Sequence, residues 1–283
     1  MKKLFLILTV PLVLAYATIV AGFYLYQQNL VFVPRPLNGI TPKKYGLTQY
    51  RDVKIKTPDG FTLDAWWIKH EDKKHRPVLL YCHGNAANLS LLSEVSKIFY
   101  DYGFDALIFD YRSYGDSTGK LSDLSEKAMD TDAMTAFKWL RKKGIEESDI
   151  IIWGHSLGSS VAAELAAGTH PAGLILEGAF PSIYSVSRAR FPWLLIAPFM
   201  IHDKFTTANY VADRHCPLLE IHAEKDTIIP IGLGEEVFKT AAEPKEWLLA
   251  KNIDHNDFPS VASQYQEPIM NFVTKCLLST SKR

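Results

Sequence analysis

The sequence predicts an α/β fold in which helices cover both faces of a mostly parallel sheet, with one apolar helix ahead of it. Three observations predict this. Short apolar runs alternate with amphipathic stretches from Pro77 to the C-terminus, the pattern of buried strands joined by crossover helices. Leu4 to Tyr26 contains no charged residue. The 283 residues, 47% of them hydrophobic, suffice for one large core with a small appendage.

The apolar start is long enough to cross a bilayer as a helix, which takes roughly 20 residues. It lacks the polar face that a soluble amphipathic helix shows. A cleaved signal peptide is the competing reading, with Lys2-Lys3 as its basic start, Leu4 to Leu14 as its apolar region and Ala15-Tyr16-Ala17 as its cleavage site. Hydrophobicity that continues to Tyr24 and Tyr26, residues suited to the far interface, favours an uncleaved anchor. We therefore expect a signal-anchor over residues 1–28 and a catalytic domain over 29–283, with a cap at about 180–212. Lys2-Lys3 should hold the N-terminus in the cytoplasm and place the domain on the opposite side, periplasmic, extracellular or lumenal. Lys43 and Lys44 on the other flank weaken that bias. On this reading, deleting residues 1–27 releases a soluble, active protein.

After a neck at Val33-Pro34-Arg35-Pro36, the runs Arg51 to Lys56 and Phe61 to Lys69 alternate around Pro58-Asp59-Gly60 and read as a β-hairpin. Buried strands are predicted at Pro77 to Cys82, Asp105 to Asp110, Asp149 to Gly154, Ala172 to Gly178, Pro217 to Ala223 and Lys245 to Ala250. Helical patterns occupy Leu89 to Tyr102, Ser122 to Lys143, Leu157 to Ala167, Ile231 to Ala241 and Val261 to Leu278.

Lys and Arg total 31, as do Asp and Glu, so the basic footprint of a nucleic-acid-binding protein is absent. The basic stretches Lys69 to Arg76 and Arg141 to Lys143 fall at turns and a helix end, where charge is solvated. Cys82, Cys216 and Cys276 are far apart and form no CxxC or Cys/His ligand spacing. Neither a metal, a cofactor nor a disulfide framework is expected, although an oxidising compartment leaves a Cys82–Cys216 bridge open. Asn88-Leu89-Ser90 is formally a glycosylation sequon, but it opens a helix beside the site described next.

Gly154-His155-Ser156-Leu157-Gly158 matches G-x-S-x-G, in which a strand turns sharply into a helix and exposes a serine at the turn. Here Ile150 to Trp153 is the strand and Ser159 to Ala167 the small-residue helix, so the context fits. Gly115-Asp116-Ser117-Thr118-Gly119 matches the same letters but lies in a polar loop. Ser156 is the expected nucleophile, with Gly154, His155 and Gly158 forming its elbow.

A serine hydroxyl needs a base, and hydrolases built on this elbow carry the order Ser, Asp or Glu, His. Of the five histidines after Ser156, only His255 lies in a loop beyond the last predicted strand. Asp226, just past the Pro217 to Ala223 strand, is the favoured orienting acid over Glu224, and Asp254 reads as structural. The oxyanion donors should be the backbone N–H groups of Leu157 and of Asn85, with Ala86 as the alternative to Asn85.

His83-Gly84-Asn85, Asp110-Tyr111-Arg112-Ser113-Tyr114-Gly115, Gly154 to Gly158, Asp226 with Pro230, and His255-Asn256-Asp257 occur in this order. Together they resemble the single-pass membrane-anchored alpha/beta-hydrolase-domain proteins, often described as serine aminopeptidase-like hydrolases. The resemblance runs from about Asn29 to the C-terminus. It implies an eight-stranded sheet, a Ser156–Asp226–His255 triad, and acyl esterase, lipase or protein-depalmitoylating thioesterase chemistry. The chain departs from the family at Ile253-Asp254, where relatives often carry small residues such as Gly, and this bears on access to His255.

The connection from Gly178 to Pro217 is far longer than usual. Its run Phe191 to Ile201 is too short to span a bilayer and is broken by Pro192 and Pro198. It reads either as a short cap helix or as an acyl-binding wall facing a membrane, with Trp193 and Phe199 as the expected chain contacts. The expected function is a membrane-anchored serine hydrolase acting on a carboxylic ester or thioester, in a small lipid-like molecule or an acylated protein. One rival is a serine peptidase for short peptides, which needs an acidic site for the free amine; Glu177 alone offers little. Another is a non-catalytic anchored binding protein, against which the complete triad argues.

Overall fold

The computed structural model describes residues 2–72, 74–194 and 198–280, with side chains from Thr9 to Ser279 within them. Its elements are α1 (Lys2–Val31), β1 (Tyr50–Lys56), β2 (Thr62–Ile68), β3 (Val78–Cys82), α2 (Ser93–Tyr102), β4 (Asp105–Phe109), α3 (Glu126–Lys142), β5 (Ile150–His155), α4 (Leu157–Ala167), β6 (Gly173–Glu177), α5 (Ile183–Arg190), α6 (Thr207–Asp213), β7 (Leu218–Ala223), α7 (Ile231–Thr240), β8 (Lys245–Ala250) and α8 (Phe258–Thr280). The strands form one eight-stranded sheet in the order β1-β2-β4-β3-β5-β6-β7-β8. β1–β2 and β2–β4 pair antiparallel and every later pair is parallel. This is the alpha/beta-hydrolase architecture that the sequence predicts.

Every residue of β3 and β7 is buried, as expected of strands covered on both faces. One core lies under α3 and α4, with Phe137, Leu140 and Val161 against Leu80 and Ile152. The other lies under α2 and α8, with Phe99, Phe272 and Val273 against Tyr81 and Trp153. α2 and α3 start later than the hydrophobic pattern alone suggests, because polar caps set them, whereas α4 and α7 start where expected and α8 starts three residues earlier. Ser125 Oγ accepts the Ala128 N–H at 3.1 Å and starts α3. Leu89–Leu92 is a 3₁₀ turn capped by Asn88, and α2 follows it.

Asn88 is buried, and its amide donates to the carbonyls of Arg35 and Pro36 at 3.0 Å. The formal sequon therefore has no exposed amide nitrogen to modify. Cys82, Cys216 and Cys276 are all free and buried, so the Cys82–Cys216 bridge left open by the sequence is not formed.

The loop after β4 is held by a buried ion pair. Arg112, only 3% exposed, donates from Nη2 to Asp132 Oδ1 at 2.7 Å and from its backbone N–H to Asp132 Oδ2 at 2.8 Å. Its Nη1 reaches Asp59 in the β1–β2 turn at 2.7 Å. One guanidinium thus ties hairpin, sheet and α3 together. Ser117, the serine of the second motif match, accepts the Asp64 N–H and donates to the Asp110 carbonyl, both at 2.8 Å. Its hydroxyl is spent on structure.

Among the described residues, α1 is the one helix long and apolar enough to cross a membrane, with a mean hydropathy of 1.6 over its window. Leu12, Leu14, Leu25 and Tyr26 are exposed on it. Its last turns nevertheless dock on the domain. Gln28 donates to the carbonyls of Leu121 and Leu124 at 2.9 Å, and the neighbouring Phe32 is buried against Phe205.

Candidate active site

β5 ends at His155 and α4 begins at Leu157, leaving Ser156 alone in the turn with φ 51° and ψ −121°. Such backbone costs on the order of 1–3 kcal/mol and persists only where packing over-determines it. Here the Ser156 N–H donates to the Glu177 carbonyl at 2.8 Å, fastening the turn to β6. A side chain at Gly158 would strike the carbonyl oxygens of Cys82 and His83, and one at Gly154 would come within 2.6 Å of Ala162 Cβ. The two glycines of the motif are required by this close approach of α4 to β3 and β5.

Leu157 opens α4, so its N–H has no intrahelical acceptor. Asn85 Oδ1 accepts the N–H groups of Val33 and Ala86 at 2.9 Å and the Tyr114 hydroxyl at 3.0 Å. That triple acceptance pins the loop after β3 and occupies the Ala86 N–H. The N–H groups of Asn85 and Leu157 remain, in residues that line one cavity with Ser156. Two such donors are what a developing oxyanion requires.

Asp226 and His255 meet each other, and neither is among the residues that line this cavity. Asp226 Oδ2 accepts from His255 Nδ1 at 2.6 Å, and both side chains are buried. The other carboxylate oxygen accepts the Ile228 and Ile229 N–H groups at 2.9 and 2.6 Å. This arrangement places the proton of a neutral His255 on Nδ1. Nε2 is buried and has no hydrogen-bond partner among the described residues. Burial lowers the His255 pKa below its ordinary 6.5, with Asp226 opposing, so the ring is a neutral base at physiological pH. Asp254 does a separate job: its carboxylate accepts the Thr227 N–H and hydroxyl and the His255 N–H, each at 2.7 Å, and shapes the loop.

Two supporting pairs escape sequence reasoning. The His155 ring lies 3.1 Å from Glu177 Oε1, while Glu177 Oε2 accepts from Trp153 Nε1 at 3.1 Å. Burial works against protonating His155, but Glu177 and Asn256 outweigh it and raise its pKa. The His155 and His255 rings are 5.0 Å apart, so a cation on the first resists a proton on the second. In the second pair, His222 Nε2 donates to the Ile229 carbonyl at 2.9 Å, steadying the segment whose N–H groups hold Asp226. Its other nitrogen faces Glu220 at 3.6 Å, a carboxyl that burial pushes up to about 7. The signal available in the sequence is the pair of polar residues, Glu220 and His222, inside the otherwise apolar β7.

A pH effect follows. With His255 as the expected base, which works neutral, kcat/KM should rise with pH through an ionisation below 6.5. His155→Gln removes the opposing cation while leaving Glu177 a donor. His255 then keeps its proton to higher pH, and the acid limb of the kcat/KM profile should move upward. An unmoved limb would break the coupling between the two rings.

The cavity in front of Ser156 has a volume of about 290 Å³ and a mostly apolar lining. The cap contributes Phe191, Met200 and Ile201 to it. Trp193 and Phe199, the chain contacts expected from hydropathy, are not among its lining residues; they are 55% and 84% exposed. Leu195 to Ala197, part of the same expected run, lie outside the described residues. The opposite wall is a larger correction: it comes from α1, through Val20, Phe23, Gln27 and Val31. Deleting residues 1–27 would strip three of those four from the cavity, so release of an intact enzyme no longer follows. A second cavity of about 380 Å³ adjoins Asn85 on the side of Arg35, His155, Glu177 and Asn256.

Residues 73–201 match the family described as serine aminopeptidase, S33. The chain is 32% identical over 253 residues to the uncharacterized protein Rv2307c of Mycobacterium tuberculosis, covering 87% of this chain and 88% of that one. It is 30% identical over 281 residues to the lysophosphatidylserine lipase ABHD12 of Xenopus tropicalis, covering 85% of this chain and 72% of the relative. The solved Pyrococcus furiosus esterase Pf2001 shares the fold, with a TM-score of 0.72 and 20% identity over 87% of this chain and 98% of its own. With this likeness joined to the strand order and the elbow, the chain belongs to the alpha/beta-hydrolase superfamily.

Proposed function

We propose that the protein is a membrane-anchored serine hydrolase that cleaves the ester or thioester bond of a single-chain, lipid-like acyl substrate. The observation that carries this is the elbow serine opening into an apolar cavity of about 290 Å³. Ser156 attacks the carbonyl, His255 takes its proton on Nε2, and Asp226 stabilises the resulting imidazolium. The N–H groups of Asn85 and Leu157 receive the oxyanion. His255 then protonates the departing alcohol or thiol, and water releases the acyl-enzyme by the same steps.

The apolar cavity suits the acyl chain. The second cavity, where Arg35, His155, Glu177 and Asn256 stand among apolar residues such as Leu91 and Phe99, offers room for the leaving group. The lysophosphatidylserine lipase among the relatives supports a lysophospholipid as substrate. Residues 1–28 act as the anchor of the domain at 29–283, although α1 itself continues to Val31. Lys2-Lys3 favours a cytoplasmic N-terminus with the domain on the other side of the bilayer.

The test is labelling of the full chain by a fluorophosphonate, together with hydrolysis of p-nitrophenyl esters and lysophospholipids. Both should be present in the wild type, and both lost in Ser156→Ala. A folded wild-type protein that neither labels nor hydrolyses would sink the proposal.

A further inference from the structure

The wall supplied by α1 carries an inference beyond tethering. The C-terminal end of the helix lies at the reaction centre: Val33, two residues past it, donates to Asn85 Oδ1 at 2.9 Å. Leu30 and Val31 line the cavity that Ser156 and Leu157 also line. From Val31 back to Val20 the helix extends about 16 Å, several times the reach of an acetyl group. At that remote end Phe23 packs edge-on against Phe191, with ring centroids 5.5 Å apart, and against Trp193 at 6.5 Å. Gln27 clamps the helix to the cap in both directions, donating to the Met200 carbonyl at 3.1 Å and accepting the His202 N–H at 2.8 Å. The wall is thus fixed in register. Phe191 and Trp193 stay partly exposed beside Phe23, at 38% and 55%.

We propose that α1 gauges acyl-chain length: Phe23, closed against Phe191, and Val20, one turn further from Ser156, together form the stop at the far end of the cavity. This rests on the hydrolase reading above and names which residues choose its substrate. A chain drawn from the bilayer meets the helix that spans that bilayer, so the anchor is also a specificity element. Phe23 is a specificity-determining residue and takes no part in the chemistry.

The experiment uses the full chain in detergent micelles and a series of p-nitrophenyl esters from acetate to palmitate. Phe23→Ala should move the optimum to longer chains, and Phe23→Trp should move it to shorter ones. Each methylene newly buried or excluded should change kcat/KM by about fourfold, the free energy of one buried CH₂. Val20→Trp, one turn away on the same face, should shorten the optimum as well and carries the test if substitution at Phe23 impairs folding. Leu25→Ala, on the outward face of the helix and 73% exposed, should keep the wild-type profile. Opposite shifts at one position cannot come from general damage. Fluorophosphonate labelling of Ser156 is read in parallel. A labelled wild type whose optimum stays put in all three cavity variants, or loses every chain length in equal proportion, overturns the gauge alone. An unlabelled wild type overturns the hydrolase reading and the gauge with it.

Discussion

Asp226→Asn is expected to lower kcat about 10⁴-fold while the protein stays folded, and the hydrogen bonds around Asp226 say why. One carboxylate oxygen accepts two backbone N–H groups, from Ile228 and Ile229. An amide NH₂ cannot replace it there, so the asparagine must keep its oxygen on that side. Its nitrogen then faces His255 Nδ1, where Oδ2 now sits at 2.6 Å. Two donors cannot share one hydrogen bond. His255 therefore shifts its proton to Nε2, the nitrogen that must be empty to receive the proton of Ser156. The substitution changes no volume, and binding of a long-chain ester should be kept. Steady-state kinetics on a p-nitrophenyl ester, with circular dichroism as the folding control, measures this. A loss of less than tenfold would remove Asp226 from the role proposed for it.

The largest effect on stability is expected at Arg112. Arg112→Ala leaves Asp132, fully buried, without its cation, and breaking a buried pair in this way costs about 3–5 kcal/mol. The cost does not stay local. The same guanidinium holds Asp59 at 2.7 Å and lies over the Phe61 ring at 4.3 Å, so the β1–β2 turn loosens together with the loop after β4. Arg112→Lys should recover only part, because an ammonium cannot reproduce the fork that meets both Asp132 and Asp59. Chemical denaturation of the detergent-solubilised chain reads the difference. If Arg112→Ala unfolds within about 1 kcal/mol of wild type, the pair is solvated rather than buried.

Much of the architecture is legible in the sequence because buried parallel strands advertise themselves. Leu218 to Ala223 and Val78 to Cys82 read as strands by hydropathy, and the structure has them so. Ser156 is legible for a different reason: of two serines flanked by glycines, it alone sits between an apolar strand pattern and a small-residue helix. Asp226 and His255 emerge from chain order and are found hydrogen-bonded to each other.

What the sequence does not convey is direction. The apolar stretch from Phe191 to Ile201 has no clean period, since Pro192 and Pro198 interrupt it. Hydropathy therefore selects Trp193 and Phe199 as readily as Phe191 and Met200, and the structure turns the first two outward. For α1 the obstacle is deeper. A uniformly apolar helix reads as lipid-facing all round, and nothing in its composition separates Phe23, in the cavity wall, from Leu25, outside it. His155 sits at a variable position of the motif, so its pairing with Glu177 becomes visible only once β5 and β6 are placed side by side.

The bond from Val33 to Asn85 Oδ1 has a mechanical meaning. Two residues and one hydrogen bond separate the end of α1 from the loop that carries Asn85. Membrane spans answer changes in bilayer thickness by tilting, and α1 has Gln27 bound to Met200 and His202 and Gln28 bound to Leu121 and Leu124. The lever is short and stiff. On the anchoring proposed above, a tilt of the helix is passed to the loop that carries Asn85, and bilayer thickness becomes a variable of the proposed reaction.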